Sequence, residues 1–529
     1  KSMKNSGRLI IILLSISVFF ISCKKDDGIA ATKKLSQEDL TAISKAPFDS
    51  TLVASFFEKH PKLKNYEPQV RALYRKHQWH YIWYDDKGVN ELADLLYSKI
   101  NTIEDEGVKA KIPYKESLDV IFQNETTLKI NASSECFISA MYFFYADKVF
   151  HGLDAKTTAE LGWYLPRKKL SYVNYLDSLM ANPSLINKDE KEVLGQYYRL
   201  KSKLQSYRAM EKKAAWDSIP FDPKMDPIEV QDSSEIVSKV RQHLFVLGNL
   251  KTDSKSNVYD KTMADAVIEY KKSMGLVATN RISAKMLKTM NVSLADRIKT
   301  IMVNMERCRW IPSDITKGKE YIVINIPSYQ LTYFKSGKPA LRSNVVVGKI
   351  MNQTVVFSGM MKFIVFSPYW NVPKSILEKE IKPAIEKNKD YLEQHDMEWN
   401  NGQVRQKPGP KNSLGLVKFL FPNSNNIYLH DSPAKSLFDR SSRAFSHGCI
   451  RVAKPAELAK AILEEDKNWT PEKVDEAMHT GKESWYTLKN KIPVYIGYFT
   501  AWVDDEDVIH FYDDVYKRDG RLGELIFKE

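Results

Sequence analysis

Four cysteines in 529 residues are too few for a disulfide-dense framework, and no two stand as C-x-x-C, which leaves neither a zinc ribbon nor a thioredoxin-type redox pair. The 21 glycines and 22 prolines sit at or below average usage and exclude a collagen-like, low-complexity or largely disordered chain. There is no H-E-x-x-H, no phosphate-cradling glycine loop and no outstanding carboxylate pair. Metalloprotease, nucleotide-dependent and glycosidase chemistries therefore lack support, and neither metal nor cofactor is expected. Acidic charge is in the minority, 66 Asp and Glu against 79 Lys and Arg, for a net +13. What is present is a folding chain, 43% hydrophobic, whose length calls for about three domains of roughly 100 to 200 residues each.

Membrane-spanning apolar runs are missing too. The opening stretch from Leu9 to Ile21 has thirteen residues behind Lys1, Lys4 and Arg8, and reaches about 20 Å against the roughly 30 Å hydrocarbon core of a bilayer. Followed by Ser22 and Cys23, it has the shape of a signal peptide over 1–22. The small residue before a cysteine resembles the lipobox of bacterial lipoproteins, which makes Cys23 the expected lipidation site and mature N-terminus; an uncleaved anchor is the other reading. Loss of three cations and no acid leaves +10. Lys24, Lys25, Asp26 and Asp27 resemble the export signal of some Bacteroidetes lipoproteins, and a solvated tether over 23–45 explains them equally. The expected place is the cell envelope of a Gram-negative, Bacteroidetes-like bacterium: a periplasm-facing lipoprotein of the outer membrane. The residual charge suits peptidoglycan or lipid headgroups and needs no nucleic acid.

From Phe48 to about Arg208 the pattern is helical: Val70, Leu73, Tyr74 and His77 share a face, as do Leu92, Leu95, Leu96 and Ile100. The stretch Trp79 to Gly88, WHYIWYDDKG, reads either as core or as a platform for stacking sugar rings. Charged residues with Pro220, Pro223 and Pro227 mark 209–232 as a linker. Ile236, Val240, Leu244 and Leu247 then build a helix stopped by Gly248. Lys261 to Lys272 builds a second, with Ala264, Val267 and Ile268 inward and Gly275 at its end, and a third follows Ser283. VRQHLFVLGNL, YDKTMADAVIEYKKSMGL and ISAKMLKTMN, in that order, resemble the small three-helix peptidoglycan-binding domain; a three-helix spacer is the alternative. Thr279 and Asn280 stand where that family has Asp-Gly.

After Glu306 the texture turns to strands: Tyr321 to Ile326, Tyr329 to Phe334, Asn344 to Val347, Met361 to Phe366 and Gly415 to Phe421, with Ser336-Gly337 as a hairpin turn. Inside them, 374–412 is a charged insertion of helical character, read as a lid or as a surface subdomain.

One segment carries chemistry. In YLHDSPAKSLFDRSSRAFSHGCIRV, Cys449 has His447 two residues upstream and His430 nineteen upstream. A thiol with an imidazole in reach is the minimum set for acyl transfer, although a buried structural cysteine near unrelated histidines gives the same spacing. Gly448 lets backbone N–H groups turn toward an oxyanion, and Arg451 offers a fork for a carboxylate. In extended chain, residues 449 and 451 face the same way. Cys136 and Cys308 read as buried free thiols, with a disulfide between them the alternative.

SHGCIRV with an upstream histidine resembles the signature of the YkuD-type L,D-transpeptidases. The strings MERCRWIP, VINIPSYQLTYF, SPYWNVPKSI, RQKPGPKNSLGLVKF and VYIGYFTAWVDD resemble its large YcbB-like subgroup, whose scaffold domain the helical half also resembles. The resemblance implies a multidomain α+β chain: helical scaffold 46–230, three-helix peptidoglycan-binding-like domain 231–295, and catalytic domain 300–529, a β-sandwich of YkuD type with 374–412 as inserted helical lid. It implies that Cys449 attacks the carbonyl of the third stem residue, a diaminopimelate, releases D-Ala and is resolved as a thioester by a second stem's side-chain amine, giving a 3-3 cross-link. His430 is then the base, oriented by the Asp431 carbonyl, and His447 assists the oxyanion or the thiol. Gly448 and Cys449 amides form the oxyanion hole, Arg451 holds the substrate carboxylate, and Ser446, a hydrogen-bond support, and Asp431 stand with it on the substrate side. The implied partners are stem peptides and glycan strands, the membrane through the N-terminal lipid, and cell-wall synthesis proteins. An L,D-carboxypeptidase using the same residues and a catalytically silent wall-binding lipoprotein remain the alternatives.

Overall fold

The computed structural model describes residues 47–85, 87–123 and 130–528; Cys23, the signal-like run and the tether lie outside them. Scaffold helices Leu52–Lys59, Glu67–Lys76 and Glu91–Asn101 pack on Ala132–Tyr145, and Tyr172–Ala181 packs on Glu67–Lys76. Helix Ala132–Tyr145 is buried continuously from Glu135 to Tyr145, so it is a central element rather than an amphipathic one. Its Glu135 carboxylate accepts from the Ile82 amide at 2.6 Å, Tyr74 Oη at 2.8 Å and the Trp83 amide at 3.2 Å, and burial pushes its pKa up to about 7. Trp83 is fully buried and its indole donates to Ser139 Oγ at 2.7 Å. The WHYIWYDDKG stretch is thus chiefly core.

The three-helix unit forms over Glu235–Val246, Lys261–Ser273 and Ala284–Met290. Its inward residues include Val237 and Val267, whereas Ile236 and Ile268, expected inside, are half-buried. Thr279 and Asn280 are engaged within the unit: Lys271 Nζ donates to Thr279 Oγ1 at 2.8 Å, and Tyr259 Oη to the Asn280 carbonyl. The proline-bearing segment is less a linker than a strap. Ile219 and Asn291 exchange two hydrogen bonds at 2.8 and 2.9 Å, and Trp216 stacks on His243 at 3.9 Å.

Helix Leu294–Trp310, capped by Ser293, packs along Gly195–Lys213 and is buried without a break from Ile301 to Trp310. The expected texture change after Glu306 and the boundary between 295 and 300 both fall inside this one helix. Cys308 here and Cys136 in the scaffold are buried free thiols raised by burial, Cys136 to about 12.

Eight strands of the ten-stranded sheet follow: β1 Glu320–Asn325, β2 Gln330–Lys335, β3 Lys338–Gly348, β4 Val356–Phe366, β5 Val417–Leu420, β6 Leu429–His430, β7 Ile450–Val452 and β8 Ser484–Gly497. Ser336 and Gly337 at φ 52° and 75° close the β2–β3 hairpin, as two residues with positive φ must. Where a sandwich is expected, the pairing path β5-β6-β7-β3-β2-β1-β8-β4 returns to its start, because β4 pairs with β8 and also with β5. Closure leaves no free edge among these strands. One buried apolar cluster runs from Phe48 through the three-helix unit to Leu522, so the expected domains share a core. The insertion has its own small core, Val372, Ile376, Leu377, Ile381, Met397 and Val404. It adds a hairpin, Met397–Asn400 with Gln403–Gln406, to the helical turns its sequence suggests.

Candidate active site

The short strands β6 and β7 run parallel, with Leu429 opposite Ile450 and His430 opposite Arg451. One step back in that register Tyr428 stands opposite Cys449, and the Ile450 amide donates to the Tyr428 carbonyl at 3.1 Å. Alternate residues of a strand share a face, so Tyr428, His430, Cys449 and Arg451 form a two-by-two array. The Tyr428 ring lies 5.8 Å from that of His430. Across β6, Lys418 of β5 pairs with His430, so the imidazole sits between two cations.

His430 is buried, and its Nδ1–H donates to the Asp431 carbonyl at 2.5 Å. That bond leaves the Nε2 lone pair without a partner among the described residues. Burial first, and the Arg451 guanidinium second, hold the imidazole down at about 4, so it is neutral across the physiological range. The Asp431 carboxylate, expected beside the substrate, is turned into the protein instead. It accepts from the Leu416 and Ser432 amides at 2.9 and 2.7 Å and pairs with Lys435 at 2.5 Å. Gly415, at φ 64°, lies so close that a Cβ would come within 2.3 Å of Asp431 Oδ2. Only glycine fits there.

Cys449 is half-buried, and its thiol donates to the Asn426 carbonyl at 3.5 Å. Burial raises the thiol above its ordinary value, while Tyr428 and the Arg451 charge oppose the rise. Cys449 therefore rests as a thiol rather than a preformed thiolate. Ser446 Oγ accepts from the Gly448 amide at 3.1 Å and donates to the Cys449 carbonyl at 2.5 Å. This corrects one expectation: the Gly448 amide is already taken, and of the two amides expected to hold an oxyanion it is that of Cys449 that has no acceptor among the described residues. Gly448, at φ 122°, presents its carbonyl to Thr354 Oγ1 at 2.8 Å, and Thr354 Oγ1 also accepts from the Gly348 amide at 2.9 Å. The fully buried Thr354 thus fixes the nucleophile loop to the end of β3.

Arg451 Nε is buried without a partner among the described residues, which leaves the guanidinium free for an incoming anion. His447 stands apart from the array. It is exposed, and its Nε2 lies 3.0 Å from Glu380 Oε1 of the insertion. Sequence reasoning misses Tyr428, Lys418, Thr354 and Glu380. Tyr428 left a trace, standing two residues before His430 as Cys449 stands before Arg451, but the register joining the two strands is tertiary.

The L,D-transpeptidase catalytic domain family, YkuD, matches residues 319–484, and a scaffold domain family matches residues 68–204. A Haemophilus influenzae protein bearing the provisional name L,D-transpeptidase is 31% identical over 244 residues, 42% of this chain and 48% of that protein. The chain thus spans about half the length of that curated relative. Among solved structures, an L,D-transpeptidase from Mycobacterium smegmatis matches at 11% identity over 34% of this chain and 58% of its own, with a TM-score of 0.20. L,D-transpeptidase 3 from Mycobacterium tuberculosis, in complex with a faropenem-derived adduct, matches at 15% over 34% and 60%, with a TM-score of 0.19.

Proposed function

We propose that the protein, whose residues 319–484 match the YkuD L,D-transpeptidase catalytic domain family and residues 68–204 a scaffold domain family, a pair that fits the large YcbB-like subgroup, cross-links peptidoglycan stem peptides through a thioester on Cys449. The observation that supports this reading is the β6–β7 register, which sets the Cys449 thiol, the His430 imidazole and the Arg451 guanidinium on one face. As the third-residue carbonyl of a tetrapeptide donor meets Cys449, His430 Nε2 takes the thiol proton and the sulfur attacks. The Cys449 amide receives the developing oxyanion, and Arg451 holds a stem carboxylate. His430 then returns the proton to the departing D-Ala amine as the C–N bond breaks, leaving the thioester. A side-chain amine of a second stem resolves it, and the amide bond is exchanged without ATP.

Incubation of the purified protein with tetrapeptide muropeptides, read by mass spectrometry, tests this. A dimer at the mass of two stems minus D-Ala is expected. A tripeptide alone would mean water resolves the thioester, and unchanged muropeptides would mean a silent wall-binding protein. Cys449→Ala should form no carbapenem adduct; adduct at the wild-type rate would remove Cys449 as nucleophile. The setting we propose is the envelope, anchored by lipid on Cys23 with the catalytic domain toward the wall. Cys23→Ser should then shift the protein out of the membrane fraction.

A further inference from the structure

The two histidines of the motif are held in opposite senses. His430 gives its Nδ1 proton to a carbonyl and keeps Nε2 open. His447, two residues before Cys449 and exposed to solvent, has Nε2 on Glu380, while its Nδ1 has no partner among the described residues. Glu380 is well placed by its surroundings. It lies in the turn Leu377–Ile381, whose Leu377 and Ile381 enter the insertion's core. Asn412 closes the base of the insertion by donating to the Pro368 carbonyl at 3.0 Å.

The resolving step makes a demand that the buried array does not meet. A lysine-like side-chain amine arrives as an ammonium ion, pKa about 10.4, and must lose a proton before its lone pair can attack. Lys418 and Arg451, on either side of His430, repel an incoming cation. The only imidazole on the nucleophile's own loop is His447, and it is backed by a carboxylate.

We infer that Glu380 and His447 form the acceptor-amine site: the Glu380 carboxylate draws the ammonium and orients His447, whose Nδ1 takes one of its protons. This rests on the transpeptidase reading above and divides its two half-reactions between two histidines, His430 for acylation and His447 for aminolysis. The neutral amine attacks the thioester carbonyl. The C–N bond forms as the C–S bond breaks, the second amine proton passes to the Cys449 sulfur, and the proton on His447 is released to water. Glu380 is a positioning residue, and His447 touches the reacting amine.

The test starts from acyl-enzyme made with a tetrapeptide donor and verified by D-Ala release and intact-protein mass. It is then given either a diaminopimelate-bearing acceptor or hydroxylamine, which is already neutral at pH 7. The readout is the ratio of aminolysis to hydrolysis product within each sample, so it is independent of how fast the acyl-enzyme formed. Glu380→Gln and His447→Ser are each expected to lower the ratio for the diaminopimelate amine by about tenfold or more while the hydroxylamine ratio stays at the wild-type value. An unchanged ratio for the diaminopimelate amine, or an equal fall with both nucleophiles, overturns the inference. Failure of the wild-type protein to form acyl-enzyme overturns the transpeptidase reading instead, and the two failures are told apart at the mass measurement.

Discussion

Arg309 lies 1% exposed in the helix that joins scaffold to sheet, and its guanidinium is used in three directions: the Val149 carbonyl at 3.0 Å, Glu306 Oε2 at 2.9 Å and the Glu106 carbonyl at 2.6 Å. Its partner Glu306 is completed by the Leu153 amide at 2.7 Å and the Trp310 indole at 2.8 Å. Arg451 carries the same head group to the catalytic face, where its Nε is buried with no acceptor among the described residues. An unmade hydrogen bond of that kind costs about 1–3 kcal/mol. The fold satisfies the cation that ties its parts together and leaves open the one beside Cys449. That difference separates a structural ion cluster from a binding one more sharply than burial does.

Substituting each arginine by methionine should break the comparison in opposite ways. Arg309→Met strands Glu306 in the core and is expected to lower stability by about 3–5 kcal/mol, read from the denaturant midpoint. Arg451→Met removes an unpaired donor and should leave stability unchanged or raise it by up to about 1 kcal/mol, while slowing D-Ala release by roughly tenfold or more. If Arg451→Met proves as unstable as Arg309→Met, the guanidinium is structural and the contrast fails.

Glu135 sharpens the same comparison on the scaffold side, with a smaller effect. Burial raises its carboxyl from 4.5 to about 7 in the fold, so the folded state binds that proton more tightly than the unfolded chain. The resulting stability is fully present below pH 4.5 and is lost as pH rises through about 7, a change of a few kcal/mol. Glu135→Gln should flatten the dependence of melting temperature on pH across that window and leave D-Ala release by folded protein unaltered. A slope that persists in the variant would assign it to other groups.

What could be read from the chain follows from how local each feature is. Cys449 and Arg451 share a face because they are two apart on one extended segment, and Ser336-Gly337 announces its own hairpin; both are visible without any partner strand. Lys418, Glu380 and Thr354 reach the site from distant segments, and nothing near them in sequence announces it. The Pro220 to Pro227 segment is composed like a linker, yet pairing of Ile219 with Asn291 makes it a strap. Composition reports what a segment avoids, not what it packs on. The start of β3, Lys338 to Arg342, is exposed but for the half-buried Leu341, so only its apolar end, buried at 345–347, could be recognised. Gly448 shows the converse limit. Its positive φ is legible from residue type, but the loss of its amide to Ser446 is decided by a side-chain rotamer.

The smallest expected effect falls on Tyr428, the member of the array that sequence reasoning left out. Burial raises the Cys449 thiol, and the neighbouring Tyr428 is among the few groups acting the other way. Because the nucleophile rests as a thiol, alkylation by iodoacetamide should climb with pH past the ordinary thiol range rather than plateau at neutrality. In Tyr428→Phe the thiol should rise further, slowing alkylation at pH 8 by roughly three- to tenfold, with the denaturant midpoint unmoved. Acylation in the wild-type protein should persist as pH falls through 6.5 and fail only as His430 gains a proton near about 4. A neutral-pH plateau in alkylation, matched by an acid limb near 6.5, would instead mean a resting thiolate beside a charged imidazole, and the division between a finished scaffold and an open, uncharged nucleophile pair would have to be redrawn.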